Sequence, residues 1–154
     1  MGGLLVAAYR TVVVGTDGSQ SSFRAVERAA AVARDAAARL VLACAYFPAE
    51  SDVVNEAQDA LGDEAYQVVG SAPAEDSLSR ATDIAKAAGA TDVHRVARVG
   101  APVSTLLKIL DEERADLLVV GNRGLNTLAG RILGSVPSDA ARRARCDVLI
   151  VHTT

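Results

Sequence analysis

Five short apolar runs, spaced along the chain, most restrict what it can become. Thr11 to Val14, Leu40 to Tyr46, Val93 to Val99, Leu117 to Val120 and Val148 to Val151 are each too short for a helix and rich in strand-forming residues. Between them, apolar residues recur at helical spacing. Phe23, Val26, Ala30 and Ala33 follow the first run; Leu78, Ala81, Ile84, Ala85 and Ala88 precede the third; Val103, Leu106, Leu107 and Leu110 precede the fourth. Strands that alternate with helices predict an α/β domain: a five-stranded parallel sheet, doubly wound with helices on both faces. Runs that are apolar throughout predict strands covered on both sides. The third run differs, with Val93, Arg95, Ala97 and Val99 alternating against His94, Val96 and Arg98. It predicts a half-exposed strand toward a sheet edge.

Local signals set the boundaries. Ser19 can cap a helix that runs to about Ala37. Phe47-Pro48 ends the second strand. Pro73 lies in the first turn of another helix, which Gly89 closes. Gly100-Ala101-Pro102 opens a third, ended by Asp111-Glu112-Glu113-Arg114, and Ser135-Val136-Pro137 starts the last. Residues 49–72 have a mixed pattern that permits a helix from about Val53 to Val69 and are long for a plain connection.

At 154 residues the chain is long enough for one domain, taken here as residues 9–154, with 1–8 read as a disordered extension. The opening MGGLLVAA is too short for a span, and Arg10 follows it rather than precedes it, so a cytoplasmic protein is expected. A net charge of −3 argues against a dedicated nucleic-acid binder. No membrane contact is expected either. Charge is unevenly placed, however. No Lys or Arg occurs between Arg39 and Arg80, whereas Arg123, Arg131, Arg142, Arg143 and Arg145 oppose only Asp139 between Gly121 and Arg145. Cys44 and Cys146 lack metal or disulfide spacing and are read as small buried hydrophobes.

Those arginines surround the stretch with the clearest chemistry. Leu117 to Val120 ends at Gly121, and Gly124, Gly130 and Gly134 punctuate the loop that leads to Ser135. Strand, glycine loop and helix N-terminus together present bare backbone N–H groups to an anion. Ser135 can add a hydroxyl, and the helix dipole favours negative charge there. A phosphate site is the expectation, with Arg123 and Arg131 as its cations. Arg142, Arg143 and Arg145 suit a helix C-terminus instead. A plain surface loop turned by glycines is the competing reading. The chain has neither G-x-x-x-x-G-K-[ST] nor G-x-G-x-x-G, which excludes a P-loop and a dinucleotide fingerprint.

What remains is Gly121-x2-Gly124-x9-Gly134-Ser135, followed by a helix and an apolar strand. That spacing resembles the nucleotide-binding motif of the universal stress protein family. VVVGTDGS at the first strand–loop and VGAP at Val99 to Pro102 fall where the family has its matching junctions, so the likeness runs from about Tyr9 to Thr154. The resemblance implies a Rossmann-like sheet, akin to the adenine nucleotide alpha hydrolases, with strand order 3-2-1-4-5. The first and fourth strands would then flank the ligand crevice. By the same resemblance the nucleotide site comprises Gly15, Thr16 and Asp17 beside the adenine–ribose part, Ala45 and Val120 as walls of the base, and Gly100 at the third strand–helix junction. Gly121 and Gly124, with Asn122 between them, would let the loop close over the ribose, and Gly134, Ser135 and Val136 would receive phosphate beside Arg123 and Arg131. An Asx-turn holding the strand–helix corner is the alternative role for Asp17.

The sequence also departs from the family pattern. Gly15 stands where some ATP-binding members carry proline, and Pro137 where many have Ser or Thr. Proline brings neither N–H nor hydroxyl, which should weaken a triphosphate chain more than one cyclic phosphate. The GNxGL and GSVP patterns resemble those of small actinobacterial members known as cyclic AMP binders. Cyclic AMP is therefore expected ahead of ATP, with Mg2+ only if the ligand is ATP and no cofactor required. The family also implies a homodimer, paired through the last strand at Val148, Leu149, Ile150 and Val151, which hides an apolar edge.

An enzyme is the main competing class. Catalysis needs a base, nucleophile or metal cluster, and neither His94 nor His152 is near Ser135 in sequence or at metal spacing. No catalytic residue and no metal ligand are assigned, and slow ATP hydrolysis would be a side activity. A third reading is an interaction module in which the acidic segment 49–72, with Glu50, Asp52, Glu56, Asp59, Asp63 and Glu64, recruits partners.

Overall fold

The computed structural model describes residues 7–48, 68–123 and 135–153. The expected extension up to residue 6, the segment 49–67, and Gly124, Arg131 and Gly134 lie outside them, as does the side chain of Ser135. The element order is β1 (Thr11–Gly15), α1 (Gln20–Ala36), β2 (Arg39–Tyr46), α2 (Ser71–Ala87), β3 (Val93–Val99), α3 (Pro102–Glu113), β4 (Leu117–Gly121), α4 (Ser135–Arg143) and β5 (Asp147–Val151). The strands form one five-stranded sheet in the order β3-β2-β1-β4-β5, and every pairing is parallel. Fold class, strand order and the edge position of β3 are as expected.

Strand β1 is hydrogen-bonded on both sides. Val13 faces Val41 of β2 in one register and Leu118 of β4 in the other. Val12, Val13 and Val14 are fully buried, which is why this run carries no polar residue. The sheet divides the core in two. Helices α1 and α2 cover one face, where Val12, Val14, Leu40, Leu42, Val119 and Leu78 pack. Helices α3 and α4 cover the other, over Val13, Val41, Leu118 and Val120.

Helix α1 begins at Ser19, whose hydroxyl accepts from the Ser22 N–H 3.1 Å away, and ends at Ala37 in the left-handed conformation. Its buried stripe is mostly alanine: Ala25, Ala29 and Ala30 are fully buried and Ala33 nearly so. Small side chains let the helix lie close to both α2 and the sheet, compensating for a chain with only 3% aromatic residues. Helix α3 carries Pro102 in its first turn, where the missing N–H costs nothing.

The helix that the pattern permits from about Val53 to Val69 lies outside the described residues except at its end, where Val69 pairs with Phe47 in a short parallel bridge. Phe47 N–H donates to Val68 at 2.9 Å, and Gly70 N–H donates to the Phe47 carbonyl at 2.7 Å. Gly70, at φ 89°, turns the chain into α2. The bridge satisfies backbone groups that a helix end would leave unpaired.

The close approach of α1 leads to an expected outcome. Ala29→Leu overpacks a filled interface and should lower unfolding free energy by about 1–3 kcal/mol in urea titration. Glu27→Ala, on the exposed face of the same helix, should change it by less than about 0.5 kcal/mol.

Candidate functional site

A parallel sheet leaves its ligand crevice where neighbouring strands send their connections to opposite faces, at the strands' carboxyl ends. Here that point lies between β1, whose chain continues into α1, and β4, whose chain leads on to α4 on the other face. An open cleft occupies it. Its walls come from every part of that junction. Gly15, Thr16 and Asp17 follow β1, Ala43 and Ala45 end β2, Gly121 and Arg123 follow β4, and Val136 belongs to the first turn of α4.

Seven sequence-predicted site residues are thus brought together: Gly15, Thr16, Asp17, Ala45, Gly121, Arg123 and Val136. Three others are placed differently. Val120 is 4% exposed and packs in the core behind the cleft with Val13, Ala43 and Leu106. Gly100 donates its N–H to the Tyr46 carbonyl at 2.9 Å and has φ +147°, a conformation that glycine tolerates. Asn122 turns its side-chain oxygen to the Thr153 N–H, 2.9 Å away. Gly124, Arg131 and Gly134 are outside the described residues, and so is the side chain of Ser135.

The turn after β1 is tied down by hydroxyls. Thr16 is 6% exposed; its N–H donates to the Ala43 carbonyl at 2.9 Å, and its Oγ1 lies 2.9 Å from Ser22 Oγ. Ser22 Oγ donates to the Ser19 carbonyl, so the proton between the two hydroxyls comes from Thr16. Asp17 Oδ1 accepts from the Ser19 N–H at 2.9 Å, the Asx-turn that the sequence offered as an alternative role. Among the described residues Oδ2 has no such partner, so the carboxylate can hold the corner and still accept from a molecule in the cleft. Its charge is felt in the core: burial first, then Asp17 and Glu75, push the fully buried Cys44 thiol up to about 12. Cys146, expected to be buried, is half-exposed beside α4.

Sequence reasoning missed part of the lining: Ser22, Ala43, Phe47, Val68, Pro102 and Leu106. Ala43 and Phe47 could have been found, since they are two residues to either side of Ala45 and side chains alternate along a strand. Pro102 and Leu106 share a face of α3 at i, i+4 spacing. Val68 carried no signal, because only the bridge to Phe47 brings it to the cleft. Leu106 floors the site closely: a Cβ on Gly15 would lie 3.2 Å from its Cδ1. Among the described residues no group of His, Cys, Asp and Glu could hold a metal, and no helix is long and apolar enough to cross a membrane.

Residues 8–152 match the universal stress protein family. The chain belongs to that family. It is 56% identical over 149 residues to universal stress protein Rv1636 of Mycobacterium tuberculosis, covering 97% of this chain and 100% of that protein. It is also similar to a universal stress protein solved in complex with cAMP: 51% identical, TM-score 0.74, covering 96% of this chain and 99% of the other. The fold extends to universal stress protein UspA from Lactobacillus plantarum, 21% identical at a TM-score of 0.75 over 95% of this chain and 99% of the other.

Gly100 separates a structural role from a binding one. A Cβ there would approach Thr105 Oγ1 to 2.3 Å at a φ that L residues avoid. Gly100→Ala should cost about 1–3 kcal/mol of unfolding free energy, read by urea denaturation, although Gly100 is not part of the cleft wall.

Proposed function

We propose that this universal stress protein binds an adenine nucleotide in the cleft at the carboxyl ends of β1 and β4. Cyclic AMP is the favoured ligand and ATP the next, and the protein holds the nucleotide in a stress-response or messenger-sequestering role rather than transforming it. One observation carries the reading: residues from three strands and three helices, far apart in sequence, build one cleft around Gly15, Asp17, Ala45, Gly121 and Arg123. Its lining is mostly apolar, with Thr16, Asp17, Ser22 and Arg123 as a few convergent polar groups, the pattern of small-molecule sites.

The chemistry of the walls suits the parts of a nucleotide. Ala43 and Ala45 leave room for a flat base, with Phe47 and Leu106 as apolar surface beside it. Asp17 Oδ2 can accept from a ribose hydroxyl, and Arg123, in the cleft wall just after β4, supplies a positive charge for phosphate. The likeness to a universal stress protein in complex with cAMP, at 51% identity over nearly the whole chain, supports the choice of ligand. So does Pro137, which removes one N–H from the first turn of α4 and so disfavours a long phosphate chain.

The reading assigns no catalytic residue, metal or cofactor, and Mg2+ enters only with ATP. Slow ATP hydrolysis is the second reading, as a side activity of a bound triphosphate. A cytoplasmic location is part of the same proposal. Strand β5 lies at the sheet edge, where its outer backbone groups can pair with those of a second copy, and a homodimer through Val148, Leu149, Ile150 and Val151 is proposed on that ground. Light scattering should then give a dimer mass, and Ile150→Asp should reduce it to the monomer. An unchanged dimer would place the contact elsewhere.

Calorimetric titration of nucleotide-stripped protein tests the ligand. Cyclic AMP should bind more tightly than Mg–ATP, and Gly121→Asp should weaken it more than about tenfold, since the new side chain starts 3.3 Å from Thr153 Cγ2 and adds negative charge at the cleft. Tighter Mg–ATP would move the protein to the ATP-binding branch and make hydrolysis the next assay. No heat from either would overturn the nucleotide reading.

A further inference from the structure

Thr153 lies two residues beyond β5, yet it is 3% exposed, more buried than any residue of that strand. Each of its polar groups has a partner. Its N–H donates to Asn122 Oδ1 at 2.9 Å, and its hydroxyl donates to the same oxygen at 2.8 Å. Its carbonyl accepts from Arg24 Nη1. Its Oγ1 also lies 2.6 Å from Ser21 Oγ. Because the Thr153 proton points to Asn122, Ser21 must donate in that contact. A backbone N–H can only donate, which fixes the oxygen end of the Asn122 amide against Thr153. Asn122 is held a second time through its own N–H, which donates to the Val151 carbonyl at 2.8 Å.

The position of this network gives it a use. Asn122 stands between Gly121 and Arg123, and Ser21 precedes Ser22; all three of those neighbours line the cleft. The methyl group of Thr153 backs Gly121 directly, 3.3 Å from where a Cβ on that glycine would lie. Three stretches therefore meet behind one wall of the cleft: the exit of β4, the segment after β5 and the first turn of α1. Another path for the chain at Asn122 would take its side-chain oxygen from the N–H and hydroxyl of the buried Thr153. The chain at Asn122, beside the cleft, is thus held before a ligand arrives, which spares binding an ordering cost.

We propose that Asn122 and Thr153 form a clamp that positions the nucleotide cleft, so that both side chains govern nucleotide affinity without touching the nucleotide. The proposal rests on the nucleotide reading above and deepens it. Asn122 thereby becomes a positioning residue, in place of the ligand contact that the sequence motif implied.

The test titrates cyclic AMP into wild type, Thr153→Val, Thr153→Ser, Asn122→Ala and the double variant Asn122→Ala/Thr153→Val. The temperature is one at which thermal melts show each to be folded. Thr153→Val keeps the shape but loses the hydroxyl, and should weaken binding about tenfold, or about 1.4 kcal/mol. Thr153→Ser restores the hydroxyl and should bind within about twofold of wild type. Because the two residues act as one unit, the double variant should bind no more weakly than Asn122→Ala alone. A clamp that served fold stability alone would lower the melting temperature and leave affinity unchanged.

Thr153→Val binding within about twofold of wild type overturns the proposal. So does a double variant whose losses multiply, since that would make Asn122 a direct contact. If Thr153→Val does not fold, Ser21→Ala replaces it: an affinity loss of about threefold is expected, and no loss overturns the clamp. Wild type that binds no cyclic AMP would instead remove the nucleotide reading, and this proposal with it.

Discussion

Everything in this structure hangs on the pairing of β1 with a strand on each side. Val12, Val13 and Val14 share backbone hydrogen bonds with both β2 and β4, and no water reaches them. Because β1 is central, the chain must leave it toward one face while β4 leads to the other. The two exits diverge, and a cleft opens between them at Gly15 and Gly121. The position of the cleft is thus a consequence of topology. Its chemistry comes from the residues that happen to end the strands.

Small side chains run through the whole arrangement. Alanines on α1 bring that helix close to the sheet, Ala43 and Ala45 keep the end of β2 low, and Gly15 comes against Leu106 with no room for a larger residue. A chain poor in aromatics reaches native packing through close approach of backbones rather than through large inserted rings. The same economy of side chain leaves the cleft open, with Phe47 as its one aromatic wall among the described residues.

Most of the fold was legible because its signals are local. The strand runs, the Ser19 cap and Pro102 at a helix start each act within a few residues, and each holds. What escaped depends on contacts between distant segments. The Phe47–Val69 bridge joins residues whose intervening segment has no clear pattern, so nothing local pointed to it. Gly100 and Asn122 lie in motif positions, and the motif alone cannot tell a residue that meets a ligand from one that holds the backbone beside it. Here Gly100 is placed by φ +147° and Asn122 by Thr153. Thr153 itself offered no signal, because a polar residue past the last strand reads as exposed until its partners are known.

Chemical-shift mapping of isotope-labelled protein with cyclic AMP tests the central claim most directly. The cleft at the β1–β4 divergence predicts amide shifts concentrated at Gly15, Thr16, Asp17, Ala45, Phe47 and Gly121, with the far face of α2 unmoved. Shifts gathered instead around Leu107, Asp111 and Arg143, which line a separate cleft between α3 and α4, would contradict it.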